Sequence, residues 1–201
     1  MRPQSGTRKR GDKLIESIYA ATVEIIKQEG YAGLSFLKIA RVAHTGRTVL
    51  YRRWATPFEL VREIVSFKSN EALGGDLIDV IKDTGSLRGD LLYILGLYQK
   101  IYANVGPEIM NAVLFEVSQN SFRIPTIKSE IDLKNIQVAE KILAFAKKRG
   151  EAIKDLSEAA LSLPFDLIRI HFILDQQVFS AAEQEQLVDD ILLPVFTGLS
   201  S

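Results

Sequence analysis

The apolar residues of this chain recur at the spacing of an α-helix, and nowhere do they alternate with period two over a useful length. Because a half-buried strand requires that alternation, the pattern predicts an all-α fold of about nine helices. The chain has 201 residues, of which 47% are apolar, so it can bury one sizeable core or a small domain packed against a larger one. The clearest single stripe comprises Leu14, Ile15, Ile18, Ala21, Ile25 and Ile26.

Capping residues set the boundaries of the first helices. We expect Asp12 to cap helix one and Gly30 to follow its end, with residues 1–11 forming a mobile basic arm. Leu34 and Ser35 open a short second helix. Its residues available for packing are Leu37, Ile39, Ala40 and Ala43.

A fourth helix is predicted from the order Thr56, Pro57 and Glu59, which suits an N-cap, a first helical residue and a capping box. This helix should run to about Leu73, and a loop region follows up to Ser86, which caps the next helix. The remaining helices are predicted over residues 87–103, 107–121, 125–149, 157–174 with an interruption at Pro164, and 181–196.

The third helix, residues 47–54, carries a polar face that suits nucleic acid. Leu50 and Trp54 lie one turn apart and can face a small core. The opposite face then carries two arginines, a threonine and a tyrosine, at positions 47, 48, 51 and 52.

The formal net charge of zero conceals a difference in sign between the two ends of the chain. Residues 1–62 hold twelve Lys or Arg against five acids, a balance of +7, and the remainder holds thirteen against twenty, or −7. A basic N-terminal segment is the electrostatic footprint of phosphate binding, although chance asymmetry on solvated faces is the alternative.

Three ordered segments of the sequence are similar to those of the TetR family of bacterial regulators. The first combines Gly30-Tyr31-Ala32-Gly33-Leu34-Ser35, Ile39-Ala40 and Thr48-Val49-Leu50-Tyr51-Arg52-Arg53-Trp54. The second, residues 83–92, resembles the start of the sensor domain in one branch of the family, and the third, residues 159–164, resembles that branch's dimerisation helix. The resemblance implies a three-helix DNA-binding domain with a helix-turn-helix over residues 12–56 and a ligand-sensing and dimerisation domain over residues 57–201.

Carried over position by position, the resemblance assigns DNA contacts to the helix-turn-helix. Arg47, Thr48 and Arg52 become candidates for reading base edges. Four further residues become candidate phosphate contacts, and the arm residues Arg8, Lys9 and Arg10 would add backbone or minor-groove contacts. For Arg53 a solvated charge stays an alternative, and for Tyr51 packing does. The phosphate candidates are Ser35, Lys38, Tyr51 and Arg53.

The sequence departs from the family pattern at two places, the turn before the third helix and the start of the fourth helix. The family turn commonly reads Ala-Gly-Val-Ser, whereas this chain reads Ala43-His44-Thr45-Gly46, which places a histidine where positive φ can be required. Pro57 stands where a lysine is common, which removes one phosphate contact and one backbone donor.

The C-terminal two thirds carries no recognisable catalytic constellation. The chain has two histidines and no cysteine, and its acids lack metal-ligand spacing, so we expect no metal, cofactor or enzymatic activity. His171 is best interpreted as an interior histidine. Aromatic and soft residues of the middle helices are candidates for the wall of a pocket that binds a small apolar or amphipathic effector, with plain core as the alternative for each. They are Tyr98, Tyr102, Met110, Leu114, Phe115, Phe145 and Phe165.

The last two predicted helices carry more apolar residues than a small domain needs, which favours a homodimer on a palindromic operator. These residues are Leu163, Leu167, Ile170, Leu174, Leu187, Ile191, Leu192 and Val195. With no apolar run long enough for a membrane span and no secretory signal, we expect a cytoplasmic protein. By the family default it would be a transcriptional repressor that binds double-stranded DNA. A helical enzyme, and a DNA-binding or helical adaptor protein without an effector pocket, are the alternatives.

Overall fold

The computed structural model describes residues 5–119 and 124–198, with side chains from residue 11 onward apart from 124–130 and 132. Within these ranges every regular element is helical, which confirms the predicted all-α fold. The helices are α1 Ser5–Glu29, α2 Phe36–Val42, α3 Arg47–Tyr51, α4 Pro57–Leu73, α5 Leu77–Val80, α6 Leu87–Val105, α7 Pro107–Gln119, α8 Ile124–Lys148, α9 Glu158–Asp175, α10 Ala181–Leu187 and α11 Leu193–Thr197. A 3₁₀ turn spans Tyr31–Gly33, and a π-helical turn, Val188–Leu192, joins α10 to α11.

The chain folds as two units. The N-terminal unit runs through Phe67 and adds Glu108–Gln119, and the C-terminal unit comprises Lys68–Pro107 and the chain beyond α7. The unit boundary therefore falls inside α4, whereas the predicted domain boundary lies at its start. Most of α7 also joins the N-terminal unit, which the linear division of the sequence did not anticipate.

The core of the N-terminal unit is formed by one face each of α1, α2, α3 and α4. Ile18, Ile39, Leu50 and Ile64 are fully buried in it, as the helical spacing predicts. The sequence assigned Leu37 to packing, but this side chain is 61% exposed, and the neighbouring Phe36 is buried in its place. Burying these aliphatic and aromatic side chains stabilises the unit by about 1.5–3 kcal/mol each.

The helix starts follow the predicted caps, with one exception. The Ser35 hydroxyl accepts a bond from the Lys38 N–H at 3.3 Å, and the Thr56 hydroxyl accepts one from the Glu59 N–H at 3.3 Å. The exception is α1, which begins at Ser5, so the prediction that the helix starts at Asp12 is wrong. Glycines 6 and 11 do not end it because single glycines cost a helix only about 1 kcal/mol each. Residues 1–4 of the predicted arm lie outside the described ranges.

The turn between α2 and α3 is a Schellman motif with His44 in the left-handed region. His44 has φ of 51°, the Thr45 N–H donates to the Ala40 carbonyl at 2.9 Å, and the His44 N–H donates to Arg41 at 3.4 Å. This confirms the sequence-based expectation that the turn can require positive φ at the position of His44.

In the C-terminal unit, α6 packs against α8, α9 and the π-helical turn. The predicted break at Pro164 is wrong, because α9 continues through this residue. The last predicted helix is instead divided by the π-helical turn, which precedes Pro194. A wider turn accommodates a proline that has no N–H to donate.

A network of charged side chains fixes the start of α6. The fully buried Asp90 carboxylate accepts bonds from the Thr84 N–H at 2.8 Å, the Thr84 hydroxyl at 2.7 Å and Arg149 Nη2 at 2.7 Å. Arg149 also pairs with Asp83 and Glu151, and the Glu151 carboxylate accepts a bond from the Leu87 N–H at 2.9 Å. Asp83, Thr84 and Asp90 of this network lie within the segment 83–92 that resembles the start of a family sensor domain.

Within the described residues, no helix combines the length and the apolar character needed to cross a bilayer.

Candidate functional site

The recognition face of α3 is exposed as the sequence predicts. Leu50 and Trp54 are 0% and 2% exposed, whereas Arg47, Thr48 and Arg52 all lie open to solvent. Gly46 precedes the helix in extended conformation, so α3 starts sharply after the turn. The geometry places two guanidinium groups and one hydroxyl on the surface of a short helix, where they can reach base edges in a major groove.

Tyr51 combines the two roles that the sequence left open. Its side chain is exposed, yet its ring packs edge-on against Phe36 with the centroids 4.9 Å apart. The contact with α2 holds the ring in place while the side chain stays 62% exposed, which is compatible with a phosphate contact.

Ser35 and Lys38 both have local partners in the free protein. The Ser35 hydroxyl caps α2, and the Lys38 ammonium pairs with the Glu29 carboxylate at the end of α1. A phosphate contact from Lys38 would therefore have to replace the pair with Glu29. The side chains of Arg8, Lys9 and Arg10 lie outside the described residues.

Arg53 takes part in a four-residue cluster that the sequence did not reveal. Its Nη2 donates to Glu63 Oε1 at 2.8 Å, and Trp54 Nε1 donates to Glu63 Oε2 at 2.8 Å. The Tyr19 hydroxyl donates to the same carboxylate, and the Arg53 guanidinium lies 5.3 Å from the Trp54 ring centre. We call these four residues the Glu63 cluster. No sequence signal pointed to it, because Tyr19 and Glu63 lie 44 positions apart.

The Glu63 cluster keeps its carboxylate charged. Burial raises the pKa of Glu63, but the hydrogen bonds from Tyr19, Trp54 and Arg53 outweigh burial and hold that pKa below its ordinary value. Burial, followed by the bond to Glu63, raises the pKa of the Tyr19 hydroxyl, which stays protonated and able to donate.

The predicted pocket residues separate into two groups. Tyr98, Tyr102 and Phe165 come together in the C-terminal unit, where the Tyr98 ring centre lies 4.8 Å from that of Phe165 and 6.2 Å from that of Tyr102. Phe172, which the sequence did not single out, stacks on Tyr102 with the ring centres 5.4 Å apart. We call these four rings, of Tyr98, Tyr102, Phe165 and Phe172, the aromatic cluster. Phe145 lies half-buried on α8.

The other predicted pocket residues, Met110, Leu114 and Phe115, lie on the part of α7 that belongs to the N-terminal unit. The tyrosines of α6 belong to the C-terminal unit. Phe115 instead packs against Tyr31 with the ring centres 5.9 Å apart.

Two buried amides of the C-terminal unit each have an atom without a hydrogen-bond partner, and one of them, Asn135, contacts the aromatic cluster. The Tyr98 hydroxyl donates to Asn135 Oδ1 at 3.0 Å, while Asn135 Nδ2 has no hydrogen-bond partner. Gln99 Oε1 likewise has none. Asn135 and Gln99 are 2% and 7% exposed, so both side chains are buried. Leaving a buried donor or acceptor unpaired costs about 1–3 kcal/mol each.

Arg169 brings a cation to the same region. Burial lowers the pKa of its guanidinium, but interactions with Tyr102 and Asp166 outweigh that effect and raise the pKa above its ordinary value. A solvent-open cavity of about 390 Å³ lies where α6 and α9 end, with Ala103, Phe172 and Val178 among its walls. Because Phe172 stacks on Tyr102, this cavity adjoins the aromatic cluster.

His171, which the sequence suggests is an interior histidine, is half-buried in the structure. Its ring stacks on Phe179 with the centres 3.8 Å apart, and Nδ1 lies 2.9 Å from the Asp175 carboxylate. Among the described residues, no three histidine or acidic side chains come together in a way that could hold a metal ion.

Comparisons with known proteins agree with this geometry. Residues 18–64 match the family model described as "Bacterial regulatory proteins, tetR family", and residues 81–191 match "Tetracyclin repressor-like, C-terminal domain". A DNA-binding transcriptional repressor TetR of Mycobacteroides abscessus is 23% identical over 92% of this chain and 94% of its own length. An HTH-type transcriptional regulator of Mycobacterium bovis is 30% identical over 90% of this chain and 86% of its own.

Solved structures share the fold. The transcriptional regulator FadR from Bacillus subtilis, determined in complex with stearoyl-CoA, superposes with a TM-score of 0.66 at 17% identity, covering 92% of this chain and 98% of that one. A TetR family regulator from Marinobacter aquaeolei gives 0.59 at 18% identity, covering 94% and 98%. The two family models span most of the sequence, and the exposed face of α3 has the composition of a recognition helix. The chain therefore belongs to the TetR family of DNA-binding transcriptional regulators.

Proposed function

We propose that the protein is a cytoplasmic repressor whose dimer binds a palindromic operator and is released by a small amphipathic effector bound in the C-terminal unit. The observation that carries the DNA-binding part is the exposed α3 face with Arg47, Thr48 and Arg52 above a buried Leu50. The N-terminal residues of a recognition helix enter the major groove, so Arg47 lies nearest the base edges, and Arg52 can reach bases or backbone.

The readout can be tested with an operator duplex selected from random-sequence DNA by the wild-type protein. Replacing Arg47 or Arg52 by Ala should cost about 1–3 kcal/mol and relax the preference at one base pair, since a bidentate bond to guanine is lost. Lys38→Ala should weaken binding to all DNA sequences alike and reduce the salt dependence of binding.

Lys100→Ala is the charge-matched control, because Lys100 is an exposed lysine on α6. It should leave the base preference unchanged. If both arginine variants lost affinity uniformly, with no change in base preference, the readout would lie elsewhere, in the arm or in DNA shape.

The effector site is proposed around the aromatic cluster because a buried donor there is unsatisfied. Asn135 Nδ2 offers this donor, and four aromatic rings provide apolar surface. A molecule with an apolar body and a carbonyl or other acceptor group would satisfy the Asn135 donor and recover the cost of leaving it unpaired. The stearoyl-CoA bound to FadR is a long apolar chain with an acyl carbonyl, so fatty acyl thioesters and free fatty acids are the first compounds to test.

The test is release of the wild-type protein from its selected duplex by these compounds, repeated with Asn135→Leu. The substitution removes the unpaired donor at similar volume, together with the Oδ1 that accepts the Tyr98 hydroxyl bond. We therefore expect a loss of stability of up to about 1–3 kcal/mol, an unchanged operator affinity of the folded variant and a weaker response to effector. Tyr93→Phe is the control on α6, since the Tyr93 hydroxyl bonds the Val80 carbonyl at 3.0 Å, away from the aromatic cluster. An unchanged effector response in Asn135→Leu would contradict this site. Absence of any response in the wild type to a broad set of amphipathic compounds would favour an adaptor without an effector pocket.

A further inference from the structure

Glu63 joins three separate parts of the N-terminal unit at one carboxylate. Its donors are Tyr19 on α1 and Arg53 and Trp54, which directly follow α3. Glu63 itself lies in the second turn of α4, and its side chain is 34% exposed. A carboxylate that accepts three bonds from charged and neutral donors is held more firmly than a surface ion pair.

The contacts of Glu63 reach the recognition helix through the backbone. The Trp54 N–H donates to the Leu50 carbonyl at 2.9 Å and the Arg53 N–H to the same carbonyl at 3.0 Å, so both residues continue the last turn of α3. Fixing the indole and the guanidinium therefore fixes the C-terminal end of α3. The N-terminal end is set by the turn at His44 and Gly46, so the helix is held at both ends.

We propose that Glu63 is a positioning residue for operator readout: through Trp54 and Arg53 it sets the orientation of α3 and hence the preference for operator over other DNA. A positioning role and a purely electrostatic role predict opposite effects on DNA binding when the carboxylate is removed. An acid in a DNA-binding unit repels phosphate, so removing it should strengthen binding to all DNA, and the released Arg53 would add attraction. A positioning role instead requires that removal of the carboxylate weakens binding to the operator.

The experiment compares Glu63→Gln with Glu16→Gln, which removes one acid from an exposed position on α1. Glutamine keeps the shape of glutamate but presents one acceptor oxygen and an NH₂ group to three donors, so at least one bond of the Glu63 cluster must break. Affinities are measured for the selected duplex and for a scrambled duplex of equal length and composition. Circular dichroism and thermal unfolding establish that the measurements are made on folded protein.

We expect Glu63→Gln to bind the selected duplex about tenfold more weakly, the size of one lost or misplaced base contact, with scrambled duplex affinity unchanged or slightly higher. Glu16→Gln should leave the ratio of the two affinities unchanged. Trp54, the single tryptophan of the chain, reports on the cluster directly. Its quenching by acrylamide should rise in Glu63→Gln, because the buried indole loses the partner that holds it.

Equal changes in both affinities, or a gain on both duplexes, would overturn the proposal and leave Glu63 with a purely electrostatic or stabilising role. If Glu63→Gln does not fold, Tyr19→Phe removes one donor and leaves the carboxylate in place. The proposal then requires a smaller fall in the same affinity ratio together with a rise in acrylamide quenching. An unchanged ratio in folded Tyr19→Phe would overturn it.

Discussion

At the scale of single residues, His44 shows how a turn can retain its geometry with an unfavourable side chain. The position after α2 is left-handed because the Schellman bonds to Ala40 and Arg41 require it. Histidine has a Cβ that meets the following carbonyl in this conformation, and its imidazole is exposed to solvent. The turn is therefore maintained by packing of the helices on either side.

His44→Gly should consequently raise the free energy of unfolding by about 0.5–1 kcal/mol, since the relief of left-handed strain exceeds the extra chain entropy of glycine. The change is measured as a higher urea midpoint with an unchanged m-value.

Arg41→Gly is the matched control, because Arg41 is exposed and lies within α2 in right-handed conformation. Glycine there should lower stability by about 1 kcal/mol. A loss of stability in His44→Gly as well would mean that the imidazole itself holds the turn.

At the scale of helices, α6 contains two glycines in opposite environments. A Cβ added to Gly89 would lie 2.4 Å from the Thr84 hydroxyl oxygen, whereas a Cβ on Gly96 would meet nothing within 4 Å. Thr84 cannot withdraw easily, because both its N–H and its hydroxyl bond the buried Asp90 carboxylate. Gly89 thus permits the close approach on which the charged network at the start of α6 depends.

The same substitution should have opposite effects at these two positions. Gly89→Ala should destabilise the protein by about 1–3 kcal/mol, the cost of forcing a clash in a packed region. Gly96→Ala should stabilise it by up to about 1 kcal/mol through helix propensity. Chemical unfolding of both variants provides the measurement, and stabilisation by both would show that Thr84 moves without cost.

Most helices and the exposed face of α3 could be predicted from the sequence because their signals are local. Caps such as Ser35 and Ser157 act within three residues, and the spacing of Leu50 and Trp54 defines a face within one turn. The Glu63 cluster and the pair between Asp90 and Arg149 join residues far apart in the chain, so composition and periodicity carried no trace of them. The placement of Phe115 beside Tyr31 is missed for the same reason.

At the scale of the whole molecule, α4 belongs to both units. Glu63 bonds the end of the recognition segment in the N-terminal unit. In the C-terminal unit, Lys68 Nζ donates to the Asn104 carbonyl at 2.9 Å, and the Asn104 amide donates to the Lys68 carbonyl at 2.8 Å. Hydrogen bonds therefore connect the first part of α4 to the segment that follows α3, and the last part of α4 to α6.

The apolar residues of the last two predicted helices divide into two sets. Leu187 and Leu192 are buried within the protomer and are not available to a partner, which corrects part of the sequence-based prediction. Ile170, Leu174 and Ile191 stay exposed, Leu174 by 71%. Ile170 and Leu174 lie one turn apart on α9 and extend an apolar strip that begins with the half-buried Leu163 and Leu167.

We predict that this strip forms the dimer interface, so Leu174→Glu should convert the dimer into a 22.5 kDa monomer at micromolar concentration, measured by sedimentation. A charge buried in an apolar two-fold interface appears twice, once from each protomer, and neither copy has a partner. The variant should also lose operator affinity, because two recognition helices about 34 Å apart are needed to read a palindrome. Leu133→Glu is the control, since Leu133 is an exposed leucine on α8, and it should stay dimeric and bind the operator. A Leu174→Glu protein that stayed dimeric with unchanged helical content would place the interface on another face of the C-terminal unit.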